Sequence, residues 1–221
     1  MSTANPPFGF LSLLTCLLLL LALPGLFSGY SGGLISILFV LMLAASLYLV
    51  ATEKKHLTIG LLLAVPALFT HWSFGLLPET IRLVINGGFQ IVFLSYVCVH
   101  IFSYLFRARK IESEVIFAAL CLYLLLGLIW AFGYFLLELL SPGAISLGSE
   151  INSQSMDSRE LIAEVIYFSF VTITTLGYGD ITPVSQLAKS LVIVEALVGQ
   201  IYIAIVIAGL VAMQIAVALR D

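Results

Sequence analysis

The sequence predicts an all-α membrane protein with six transmembrane helices and one short re-entrant helix ahead of the last span. Three observations carry this. Hydrophobic residues make up 62% of the 221 positions and charged ones only 10%, with a mean hydropathy of +1.17. A typical soluble domain carries roughly 25% charged residues. The charges that exist punctuate long charge-free runs, at residues 1–52, 83–106, 115–137 and 196–219. Finally, residues 161–171 are mostly apolar but too short to cross about 30 Å of hydrocarbon, and they contain Glu164. A water-soluble globule could not hide this much apolar surface.

The elements follow in order. The first charge-free run holds two spans, near residues 8–27 and 33–51, separated by the helix breakers Pro24, Gly25, Ser28, Gly29, Ser31 and Gly32. The first lacks a positive leading segment and a small-x-small cleavage site, so it reads as a retained span. Residues 57–72 form a shorter third span containing Pro66. Residues 83–106 and 115–140 form the fourth and fifth, and residues 187–219 the sixth, long enough to tilt. Lys54, Lys55, Arg107, Arg109, Lys110 and Arg220 all fall on one side if the N-terminus is cytoplasmic. Both termini are then expected inside, with the loop from Ser141 outside.

Composition also excludes function classes. A net charge of −3 with nine thinly spread basic residues offers no patch for nucleic acid. Cys16, Cys98 and Cys121 lie inside apolar stretches without metal or disulfide spacing, and read as packing residues. His56, His71 and His100 stand isolated in sequence. No nucleophile–base pair or metal-ligand constellation is visible, and no organic cofactor is expected.

The short apolar stretch is the chemically informative one. Asp157 and Glu160 are spaced as an N-cap and N3 pair. A helix over residues 158–173 would enter from outside and point its C-terminus inward. Then come Thr172, Ile173, Thr174, Thr175, Leu176, Gly177, Tyr178, Gly179 and Asp180. This run closely resembles the selectivity filter of potassium channels, with Leu176 where many members have valine. The resemblance covers outer helix, pore helix, filter and inner helix, over residues 115–218.

The resemblance implies a four-span membrane domain at 1–110 and a pore domain at 111–221. Within the latter, the pore helix covers 158–173, the filter 174–180 and the inner helix 186–220. It implies K⁺ held by the backbone carbonyls of Thr175, Leu176, Gly177 and Tyr178, with the Thr175 hydroxyl at the inner end. Gly177 and Gly179 would take left-handed dihedrals that turn successive carbonyls to one axis. Thr174, Gly179 and Asp180 would support the loop. Tyr178 would brace against Tyr167 and Phe168 of the pore helix. The helix's partial negative end would favour a cation in the cavity.

In the inner helix, Gly199 is either a hinge or a close-packing residue. Gln200, Ile203 and Ile207 form one stripe, which by resemblance lines the cavity and inner mouth; lipid or helix contact is the alternative for the isoleucines. Glu195 is an acid within a membrane helix, either functional or a hydrogen-bond partner of the pore helix. Glu150, Asp157, Glu160 and Asp180 set acid around the outer mouth against Arg159. They either concentrate cations there or are merely solvated.

The six-span layout also resembles the voltage-gated superfamily, but the fourth span lacks its repeated Arg or Lys. Arg82 stands alone at the edge. Only Arg220 and Asp221 follow the last span, which leaves no room in this sequence for a ligand-binding domain. A filter needs four loops and this chain supplies one without an internal repeat, so a homotetramer in lipid is expected. The sequence therefore points to a K⁺-selective channel resembling the prokaryotic branch, in a cell membrane, best matched to a bacterial inner membrane. Steep voltage gating is not expected, and the gating stimulus is not encoded legibly. A weakly selective cation channel, a secondary transporter using Glu195, and an accessory subunit are the competing readings.

Overall fold

The computed structural model describes residues 9–26, 33–50, 54–72, 78–108, 113–148 and 156–218. It is mostly helical. Helices α1 (Gly9–Leu26), α2 (Gly33–Val50) and α3 (Lys54–Trp72) are followed by α4 (Glu79–Arg107) and α5 (Ser113–Leu140). A short strand β1 (Ile145–Ser146), helix α6 (Ser158–Ile173), strand β2 (Thr182–Pro183) and helix α7 (Gln186–Ala218) complete it.

Length and composition sort the helices. Among the described residues, three stretches are long and apolar enough to cross a membrane: Glu79–Arg107, Ser113–Leu140 and Gln186–Val206. Shorter apolar stretches occupy Gly9–Ala22, Ile37–Leu49 and His56–Pro66. Helix α3 runs on through Pro66. Helix α6 has 16 residues, or about 24 Å at 1.5 Å per residue.

Two apolar clusters hold these elements together. One joins α1, α2, α4 and α5 through Leu13, Leu17, Met42, Phe93, Leu94 and Leu125. The other lies between α5, β1, α6 and the start of α7, around Tyr134, Ile145, Val165, Phe168, Ile181 and Ala188. Helix α6 packs between α5 and α7. The α5–α6 approach is close enough that a Cβ on Gly127 would meet Phe170 Cζ at 2.8 Å.

The structure adds features that the sequence did not announce. β1 and β2 pair antiparallel, Ile145 with Pro183 and Ser146 with Thr182. This two-residue ladder fastens the loop after α5 to the chain leading into α7. Buried Glu138 reinforces it, accepting hydrogen bonds from the Gly143 amide at 2.6 Å and the Ile145 amide at 3.0 Å. The histidines also need correcting. His56 and His100 are neighbours, with ring centroids 4.5 Å apart. Tyr96 joins them, its hydroxyl 3.0 Å from His56 Nδ1 and its carbonyl oxygen 3.2 Å from His100 Nδ1. They are 44 residues apart in sequence and meet because α3 packs along α4. The side chain of His71 lies outside the described residues. The three cysteines are free, and Cys121 donates weakly to the Phe10 carbonyl at 3.4 Å.

Candidate functional site

The site begins where α6 ends. Asp157 occupies the N-cap position with extended dihedrals, but its side chain makes no capping bond. The capping box suggested by Asp157 and Glu160 is therefore positional only; the helix opens with the Leu161 amide on the Asp157 carbonyl at 3.0 Å. At the other end the chain folds its amides back onto the helix. The Thr175 amide donates to Thr172 O at 2.9 Å, Leu176 to Val171 O at 2.9 Å and Gly177 to Val171 O at 3.2 Å. These bonds satisfy carbonyls that a helix end leaves open.

The backbone then alternates. Thr175 has φ +59°, Gly177 +59° and Gly179 +79°, whereas Leu176 and Tyr178 keep negative φ. An ordinary strand alternates its carbonyl directions. Placing every second residue in the left-handed region turns successive carbonyls toward one side. Glycine adopts that region freely. Thr175 is the exception: a β-branched residue there costs about 1–3 kcal/mol. Among the described residues, nothing donates a hydrogen bond to the carbonyls of Thr175, Leu176, Gly177 or Tyr178.

Side chains from three helices surround this segment. Thr174 returns its hydroxyl to Phe170 O at 2.6 Å. The Gln200 amide Nε2 on α7 donates to the Thr175 hydroxyl at 3.3 Å. Gly199 lies so close to the end of α6 that an added Cβ would fall on the Ile173 carbonyl oxygen and 2.7 Å from Ile173 Cγ1. That same carbonyl accepts a hydrogen bond from the Tyr123 hydroxyl on α5 at 3.1 Å. Tyr123 in turn stacks on Tyr202 at 5.5 Å. Glu195, completely buried, receives Tyr134 from α5 and Ser169 from α6.

At the outer end, the Tyr167 hydroxyl donates to Asp180 Oδ2 at 2.6 Å, and the Ile181 amide to Asp180 Oδ1 at 3.0 Å. The Tyr167 bond above all, with help from Ile181, holds the Asp180 carboxyl below the usual carboxylate range. In the single chain Tyr178 is 68% exposed. Phe168 turns edge-on to Tyr134 at 5.0 Å within the α5–α6 cluster, and Tyr167 reaches the loop through Asp180.

Other anticipated residues are less gathered. Ile203 is half-buried on α7, while the side chain of Ile207 lies outside the described residues. Asp157, Glu160, Arg159 and Asp180 are exposed, and Glu150 lies outside the described residues. Two residues were missed in the sequence. Glu138 carried the same signal as Glu195, an acid in an apolar helix, and Tyr123 carried none.

Comparison with known proteins now bears on this geometry. Residues 122–215 match the family described as ion channel. They run from within α5 through α6 and the 174–180 segment into α7. Fifty-six residues, 25% of the chain, are 39% identical to protein LctB of Bacillus caldotenax, covering 41% of that protein. Fifty residues, 23% of the chain, are 42% identical to two pore potassium channel c of Oryza sativa subsp. japonica, covering 11% of it. The chain thus spans less than half the length of these relatives in each match. No solved structure matches. The matched stretch carries the helices and the loop just described, and it is this part of the chain that is similar to ion channels.

Proposed function

We propose that the chain is a subunit of a potassium-selective channel, in which residues 174–180 form the filter and K⁺ passes along the carbonyls of Thr175, Leu176, Gly177 and Tyr178. One observation carries the reading: positive φ at Thr175, Gly177 and Gly179 in alternation, on a loop whose amides from Thr174 to Gly177 are spent on α6 and whose carbonyls from Thr175 to Tyr178 have no donor among the described residues. Carbonyls aligned this way replace an ion's hydration shell. Thr175 adds its hydroxyl, fixed by Gln200.

A single loop surrounds no axis, so the functional unit is a homotetramer. The exposure of residues 174–180 in the single chain supports this. In this reading α1 to α5 and α7 are six spans, α6 is the re-entrant helix, and both termini are cytoplasmic. The membrane is a cell membrane, best matched to a bacterial inner membrane.

The test is reconstitution of the purified chain alone into liposomes and planar bilayers. The expected result is K⁺ flux without saturation, and a reversal potential in mixed K⁺ and Na⁺ that follows the K⁺ gradient. A reversal potential midway between the two would assign a weakly selective cation channel. No flux without a second subunit would assign an accessory role, and saturable coupled flux a transporter.

A further inference from the structure

The buried acid on α7 has a proton count that only one ionisation state satisfies. Glu195 is 0% exposed. The Tyr134 hydroxyl lies 2.5 Å from its Oε2, and the Ser169 Oγ 2.5 Å from its Oε1. Ser169 Oγ is also 2.7 Å from the carbonyl oxygen of Gly127. A serine hydroxyl has one hydrogen, and a carbonyl oxygen has none. With Glu195 ionised, the Ser169 hydrogen serves one of its two neighbours. The other contact then sets two oxygens against each other at hydrogen-bond distance with nothing between them.

A proton on Glu195 removes the conflict. Oε1–H donates to Ser169 Oγ, Ser169 O–H donates to Gly127 O, and Tyr134 O–H donates to Oε2. Each short contact then holds one hydrogen. The surroundings agree. Tyr134 and, at longer range, Tyr123 face Glu195 from α5, and Ser169 faces it from α6. Among the described residues, no cation bears on it from these helices, from β2 or from α7 itself. Glu138, on the turn of α5 after Tyr134, is occupied by loop amides, and Lys189 is exposed. A buried carboxylate with no cation partner is strongly disfavoured.

We infer that Glu195 is held as a neutral carboxylic acid, and that its proton clamps α6 to α5 and α7 behind the 174–180 segment. Glu195 is a positioning residue: it touches no carbonyl of the loop, but Ser169 sits on the helix that leads into it. The functional consequence rests on the filter reading above, and the ionisation state does not. The sign follows from the count. The neutral form is the bonded form, so the clamp is whole at low and neutral pH and is lost as rising pH strips the proton. The lost proton leaves Ser169 facing one unsatisfied oxygen, and conduction falls on the alkaline side.

The experiment uses the purified full chain in liposomes with two readouts. Infrared difference spectra of the chain with ¹³C-labelled glutamate should contain a protonated-carboxyl C=O band at neutral pH that is absent in Glu195→Gln. K⁺ flux across a pH series is the second. The carboxamide of Glu195→Gln keeps an acceptor for Tyr134 and a donor for Ser169, so flux should stay at the wild-type level and the alkaline fall should vanish. Glu195→Ala, lacking both, should lose flux at every pH. A wild-type spectrum without that band overturns the inference, as does an alkaline fall retained in Glu195→Gln. Should Glu195→Gln fail to fold, Ser169→Ala is the second variant: a labelled protonated-carboxyl band that persists at neutral pH but shifts in frequency, because its O–H has lost the Ser169 acceptor, supports the inference, and an unchanged glutamate spectrum overturns it. A band without K⁺ flux would sink the filter reading and leave the protonation standing; K⁺ flux without the band would do the reverse.

Discussion

Replacing Gly199 with alanine distinguishes a packing contact from a hinge, and the structure sets the size of the effect. The new Cβ would fall on the Ile173 carbonyl oxygen and lie 2.7 Å from Ile173 Cγ1. Carbon atoms rest about 3.5–4.0 Å apart, so α6 and α7 must separate by roughly 0.8 Å or more. The first obstacle is backbone, and no change of rotamer relieves it. Overpacking of this kind costs about 1–3 kcal/mol. Weakening the Tyr123 bond to the same carbonyl, 3.1 Å in the native chain, adds about 1 kcal/mol. Alanine's better helix propensity returns about 1 kcal/mol. The net expectation is about 1–3 kcal/mol of destabilisation.

Gly88→Ala on α4 is the matched comparison, because a Cβ there meets nothing within 4 Å. It should be neutral or stabilising by up to about 1 kcal/mol. The assay is thermal unfolding of the detergent-purified protein, read by the loss of its size-exclusion peak, together with K⁺ flux in liposomes. Gly199→Ala should unfold at a lower temperature and lose flux; Gly88→Ala should do neither. A hinge glycine would behave differently, lowering open probability while stability stays level. A Gly199→Ala midpoint equal to that of the wild type would therefore refute the packing argument.

Gly177→Ala meets no steric obstacle in the single chain but stands at φ +59°, a conformation costing a β-carbon about 1–2 kcal/mol. Relief by peptide rotation would swing a carbonyl off the axis, so K⁺ over Na⁺ discrimination should collapse in reversal potentials; a retained K⁺ preference contradicts the filter assignment. Tyr167→Phe removes the bond that holds the Asp180 carboxyl low. The native contribution is present above the ordinary carboxylate range and lost as pH falls through the depressed value, so the variant should shift the acid edge of the flux profile upward; an unmoved edge would show the bond to be idle. Helix α4 offers Arg82 near its start, 4.0 Å from Glu79, and no Lys, Arg, Asp or Glu from 83 to 106. Since each charge crossing the field is worth about 2.3 kcal/mol per 100 mV, tail currents should show a shallow conductance–voltage relation that Arg82→Gln leaves unchanged, and a steep sigmoid would contradict this.

What could be read from the sequence was what local chemistry decides. Charge-free runs marked where apolar helices lie, because an uncharged run of twenty or so residues has few other solutions. Gly177 and Gly179 pointed to positive φ by their identity. The remainder depends on partners distant in the chain. The β1–β2 ladder is two residues long on each strand, too short for any alternating pattern to register. Glu138 was passed over because its partners, the Gly143 and Ile145 amides, reach it only once the loop after α5 folds back. His56 and His100 are 44 residues apart and meet only through the antiparallel packing of α3 on α4. Phe168 meets Tyr134, 34 residues back on α5, a contact that no local spacing announces.

Thr175 is the clearest case of tertiary override. Its own preference opposes φ +59°, and nothing in its immediate neighbours demands it. The conformation is imposed from outside by bonds that converge on one turn of chain. Its amide is drawn back to Thr172 O, the next two amides to Val171 O, and its hydroxyl is met by Gln200. Four hydrogen bonds at about 0.5–1.5 kcal/mol each outweigh a strain of about 1–3 kcal/mol. Those bonds exist only if the end of α6 is fixed against α5 and α7, and three contacts fix it: Tyr123 on Ile173 O, Gly199 beneath Ile173, and Glu195 on Ser169. The loop's geometry is thus a property of the α5–α6–α7 junction rather than of the loop sequence. A change that breaks one of these contacts, such as Tyr123→Phe, Gly199→Ala or Glu195→Ala, should reach the carbonyls of 174–180 without altering any residue among them.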